Sequence, residues 1–145
     1  MRIEQGKVPM KHNVTLTITS LLSILFMTFH VTDDIVHGME PGGLSDLVLI
    51  VFISVVWLYG TLMLAERRSG YVIIILGSLI GFVVPVIHMK GKGVGEIAKA
   101  SGGFLFVWTL LALGVTAIFS FVLSVRGLWR LRRGQGVELQ RVPPQ

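Results

Sequence analysis

The run Tyr71-Val72-Ile73-Ile74-Ile75-Leu76-Gly77-Ser78-Leu79-Ile80-Gly81-Phe82-Val83-Val84-Pro85-Val86-Ile87-His88-Met89 contains no Asp, Glu, Lys or Arg. As a helix it is ~28 Å long, close to the ~30 Å hydrocarbon core of a bilayer. Its β-branched start, Tyr71–Leu76, would also suit a strand. A membrane barrel, however, requires at least about eight short segments of alternating polarity, and the chain has no such pattern. The run is therefore read as a transmembrane helix.

Three similar runs surround it, at Val14–Val31, Leu44–Ala65 and Gly103–Val125. The first is rich in Ser and Thr, which lipid tolerates when the hydroxyl bonds back to the helix backbone. The expected fold is all-α, a four-helix transmembrane bundle. Residues 1–133 form one membrane domain and 134–145 a flexible cytoplasmic tail. Composition agrees: of 145 residues 52% are hydrophobic and 14% charged, against about 25% charged in soluble domains. Such apolarity excludes a disordered basic tail and a nucleic-acid-binding module, despite the net charge of +5. The absence of Cys excludes disulfides, thiolate metal sites and a Cys nucleophile.

Basic residues give an expected topology. Arg2, Lys7, Lys11, Arg67, Arg68, Arg126, Arg130, Arg132, Arg133 and Arg141 fall on one side; Lys90, Lys92 and Lys99 fall on the other. The positive-inside rule places both termini and the Glu66–Gly70 loop in the cytoplasm. No small-x-small cleavage signal follows Phe29-His30-Val31-Thr32, so the first span is read as a retained helix.

The chain also reads twice with similar punctuation. Each half has a helix ending in His (His30, His88), a loop closed by Gly-Gly (Gly42-Gly43, Gly102-Gly103), and a Trp-containing helix returning to Arg (Arg67, Arg126). Two parallel helical-hairpin repeats would produce this pattern and would bring His30 and His88 to one depth. Any two hairpins share the same outline, so duplication and coincidence both stand. Gly77 and Gly81 form a small-xxx-small face for packing within the protomer, with a second copy or with a membrane partner. Pro85, three residues before His88, loosens the last turn of its helix. Trp108 and Trp129 fit interfacial anchors at the two ends of the last span.

The segment His30-Val31-Thr32-Asp33-Asp34-Ile35-Val36-His37 carries the candidate chemistry. If the first helix continues past Val31, then His30, Asp33, Asp34 and His37 share one face. Imidazoles and carboxylates on one face suit a divalent metal, and His88 lies at the right depth to join them. Glu40 and Asp46 are further candidates. Ionisable groups at a membrane edge mark functional sites because burying them is costly. The competing reading makes Thr32 the N-cap of a separate short helix, with solvated acidic residues behind it.

Two His with carboxylates suit zinc, iron or manganese, and Met27, Met39 and Met89 would favour copper. His30 and His88 could instead bracket haem b. No Walker, Rossmann or nucleophile-elbow motif is present. The spans hold no midplane charge of the kind an ion-coupled transporter uses.

The string His30-x-x-Asp33-Asp34, then Gly38-x-Glu40-Pro41-Gly42-Gly43, Trp57-Leu58-Tyr59-Gly60 and Pro85-Val86-Ile87-His88 resembles a group of small bacterial four-helix integral membrane proteins without assigned activity. The resemblance covers most of the chain and implies architecture and a bacterial source only. Three functions are expected: an outer-face site for a divalent metal on His30, Asp33, Asp34, His37 and His88; a non-catalytic accessory subunit of a larger membrane complex; or b-haem electron transfer.

Overall fold

The computed structural model describes residues 10–36, 44–90 and 103–139. Every element among them is helical: α1 (Met10–Val36), α2 (Leu44–Leu62), α3 (Arg68–Lys90) and α4 (Gly103–Leu139). They pack as a bundle. α4 lies against α1 and α3, while α2 leans on α3 and α1.

Three helices are long and apolar enough to cross a membrane: Asn13–Val36, Arg68–His88 and Gly103–Arg133. The apolar part of α2, Leu47–Leu62, is shorter. The side-chain distribution is that of a protein solvated by hydrocarbon. Phe52, Leu76, Phe104, Val115 and Phe119 are exposed, whereas Ser20, Ser23, Ser78, Ser120 and Ser124 are completely buried. Soluble monomers do not leave apolar surface exposed on this scale. Small and hydroxyl-bearing residues are what membrane helices place between themselves.

The boundaries differ from the sequence reading in physically sensible ways. α1 does not stop at Val31. The Thr32 hydroxyl donates to the carbonyl of Thr28 at 2.7 Å, so Thr32 continues the helix instead of capping a new one. α2 ends at Leu62, not Ala65. There the chain turns through residues 63–67, with Glu66 in the left-handed region at φ 65°. The Asn13 side-chain amide donates to the Glu66 carboxylate, which ties the start of α1 to this turn. α4 runs on past Val125 through its basic residues, and residues 134–139, read from sequence as tail, are helical. Arg133 covers the Trp129 ring at 3.8 Å from its centroid, a cation–π contact.

The Gly77/Gly81 face is filled from within the protomer. A methyl group at Gly77 would overlap the Trp57 indole, and one at Gly81 would touch Ala117 and Trp57 at 3.3 Å. Trp57 is held there by a closed set of hydrogen bonds. Its Nε1 donates to Ser20 Oγ at 2.9 Å, and Thr61 Oγ1 donates to the Trp57 carbonyl at 2.9 Å. Thr61 has spent its only proton, so Ser20 donates to Thr61 across their 2.7 Å contact. Each donor in this ring bridging α1 and α2 is satisfied, as burial requires.

Depth can be read from α4. Trp108 and Trp129 are both well exposed and lie 21 residues apart, ~31 Å along the helix. That matches the separation of the two interfacial aromatic levels of a bilayer.

Candidate metal centre

The continuation of α1 to Val36 places His30 and Asp34 one turn apart on the same face. His30 Nε2 lies 3.4 Å from Asp34 Oδ2. α3 brings the third group: His88 Nε2 is 3.9 Å from the same Asp34 oxygen. One ligand atom from each of the three lies within 4.8 Å of the others. A tetrahedral site with metal–ligand bonds of ~2.0–2.1 Å has ligand atoms ~3.3 Å apart. The His30–Asp34 spacing already fits. His88, 3.9 Å from the same oxygen, has to move inwards by about half an ångström to match it.

His88 is oriented for that role. Its Nδ1 lies 2.9 Å from the carbonyl oxygen of Val84. A carbonyl only accepts, so Nδ1 carries a proton, and the neutral form of the ring turns its Nε2 lone pair towards Asp34. Metal-bound imidazoles characteristically have their second nitrogen bonded this way.

His30 is 1% exposed, and neither of its ring nitrogens has a hydrogen-bond partner among the described residues. An unsatisfied buried donor or acceptor costs ~1–3 kcal/mol. A bound cation would remove that cost at one nitrogen. This buried imidazole, close to a carboxylate but hydrogen-bonded to nothing described, is the observation that distinguishes the cluster from an ordinary buried polar contact.

Phe106 of α4 forms the apolar wall, its ring centroid 4.9 Å from that of His30 and 5.9 Å from that of His88. No sequence signal marked Phe106, because its importance comes only from which helix α4 meets. A cavity of about 120 Å³ lies between α1, α2 and α3, with His30, Asp34 and His88 in its wall.

Of the five expected metal ligands, the structure brings together His30, Asp34 and His88. Asp33, half-buried beside them, is not in the set. His37 and Glu40 lie outside the described residues, as does the side chain of Asp46. Haem b between the histidines is not supported. Their ring centroids are 4.8 Å apart in edge contact, which leaves no gap for a macrocycle ligated from both faces. The two histidines are in ring contact and so meet at one depth.

Comparison with known proteins returned no matching family model, curated protein or solved structure. The likeness to small bacterial four-helix membrane proteins therefore rests on the quoted residues alone.

Proposed function

We propose that this protein is a multi-pass membrane metalloprotein. Its centre, formed by His30, Asp34 and His88, holds a divalent transition-metal ion near the outer surface of the bilayer. The observation that carries the reading is the buried His30 imidazole, which makes no hydrogen bond among the described residues, with a carboxylate oxygen 3.4 Å away and a second imidazole in ring contact. Two imidazoles and one carboxylate suit zinc or ferrous iron, and three protein ligands leave a position open for a further ligand. The depth of the centre follows from Phe106, which touches both histidines and lies ~3 Å along α4 from Trp108. The basic residues at the opposite end favour placing that end in the cytoplasm.

The direct test is elemental analysis of protein purified in mild detergent without chelator, followed by Co(II) titration of stripped protein. About one equivalent of zinc or iron is expected, together with a visible Co(II) band that zinc abolishes. Protein that carries no metal and gives no Co(II) band overturns the proposal. The same spectrum, read in the Soret region, reports haem independently.

A further inference from the structure

We infer that the cavity beside His30, Asp34 and His88 is the head-group end of a binding site for a single-chain membrane amphiphile with a carboxylate head. Its hydrocarbon chain would lie between α2 and α3. The inference rests on the metal reading above, because the bound ion supplies the contact to the carboxylate.

Four observations converge. First, the polar and apolar walls of the cavity are segregated. His30, Asp34 and His88 lie at one end, while Ile53, Trp57 and Ile80 lead away from them. Second, those same three residues also line an adjoining groove of about 180 Å³ between α2 and α3. The groove is bordered by Phe52 and Leu76, both exposed on the bilayer-facing surface. Ile53, Trp57 and Ile80 are thus the common wall of cavity and groove, and a chain reaching from the ligand cluster into hydrocarbon passes between these side chains.

Third, the path has the direction and length of one lipid chain. Along α3, Ile80 lies ~12 Å and Ile73 ~22 Å from His88, measured from the outer surface past the bilayer midplane. A carboxylate head at the aromatic level of Trp108 with its chain pointing inward is how such an amphiphile already sits in a leaflet. Entry then requires lateral movement only. Fourth, size and charge select the head. A cavity near 120 Å³ is somewhat smaller than the ~150 Å³ hole that holds one benzene. It admits a carboxylate and a few methylenes but not a phospholipid head group. A divalent ion held by two neutral imidazoles and Asp34 retains one positive charge, which a monoanion neutralises in a site where residual charge is expensive. The groove that borders this cavity has about 180 Å³, which suits one chain.

The experiment uses full-length protein in phosphatidylcholine nanodiscs with Trp108→Phe and Trp129→Phe, which leaves Trp57 as the sole tryptophan. Co(II)-loaded protein is titrated with mid-chain-brominated palmitate or with its methyl ester. The acid is expected to shift the Co(II) band and to quench Trp57 saturably; the ester, which has the same chain without the anionic donor, is expected to do neither. Ser54→Phe fills the cavity and leaves all three ligand residues in place. It is expected to keep the Co(II) band and lose both responses. A normal Co(II) band indifferent to the acid, or equal effects of acid and ester, overturns this inference and leaves the metal reading intact. Absence of any Co(II) band overturns the metal reading and this inference with it. The acid–ester comparison is made in the unfilled cavity, so it decides the matter even if Ser54→Phe does not fold.

Discussion

The ring proton of His88 is held by Val84: Nδ1 lies 2.9 Å from that residue's carbonyl oxygen, one turn back in α3. The bond selects a tautomer, and through it the nitrogen offered to a metal. In histidine-labelled protein, the His88 Nδ1–H correlation is expected to survive zinc addition. Its Nε2 resonance should move from an unprotonated nitrogen to a metal-bound one. Loss of the Nδ1–H signal on zinc binding would contradict the assignment.

Adjacent carboxylates are expected to behave differently. Asp34→Asn removes a ligand and should weaken Co(II) or Zn(II) binding by more than the ~10–100-fold typical of second-shell losses. Asp33→Asn should leave affinity within a few-fold of the parent, because Asp33 is outside the converging set. Isothermal titration of both variants makes the comparison, and equal losses would count against the three-residue centre.

Two buried serines of α1 predict opposite sensitivities. Ser20 accepts the Trp57 indole proton and bridges to Thr61. Ser23 only returns its hydroxyl to the Thr19 carbonyl in its own helix. Interhelical bonds in membranes average ~0.6 kcal/mol and reach ~1.7. Ser20→Ala, which leaves the indole N–H unpaired, should cost ~1–2 kcal/mol in a denaturant titration. Ser23→Ala should cost less than ~0.5 kcal/mol, since a local back-bond does not hold helices together.

At Gly77 the added methyl of an alanine would meet the Trp57 ring system. Gly77→Ala is expected to destabilise by ~1–3 kcal/mol, as overpacking does in tight interiors. Trp57→Phe in the same chain should recover part of the loss, giving a coupling of ~0.5 kcal/mol or more in a double-mutant cycle. Strict additivity would show that the two residues do not share the contact.

Sidedness is testable without background because the chain has no Cys. Ser69→Cys, exposed in the first turn of α3, is expected to react with an impermeant maleimide only in inverted vesicles. Gly95→Cys, in the outer loop of the predicted topology, should react only in right-side-out cells. The reverse pattern would turn the whole topology over.

The parts of this molecule that sequence makes legible are those governed by local rules. Uninterrupted apolar runs located all four helices, because a bilayer sets helix length and forbids unpaired backbone. The offset of four residues between His30 and Asp34 put them on one face. Helical phase could not choose between Asp33 and Asp34, which lie ~60° to one side of His30 and ~40° to the other. That choice is made by where α3 sits, which is a tertiary fact. The same holds for Phe106 and for the filling of the Gly77 face by Trp57. The end of α2 was misplaced by three residues because the turn through Glu66 still contains the apolar Met63, Leu64 and Ala65.

The inverted distribution of side chains, hydroxyls within and large hydrocarbons without, bears on how this sequence can drift over time. Val48, Phe52, Val115 and Phe119 meet hydrocarbon whether or not the helices are assembled, so exchanging one for another apolar residue changes association little. Ser20, Thr61, Gly77 and Gly81 have no such latitude. Divergent relatives are therefore expected to keep the small positions while the bulky surface turns over. A search pattern built on those few positions with His30, Asp34 and His88 would find them where overall identity has faded.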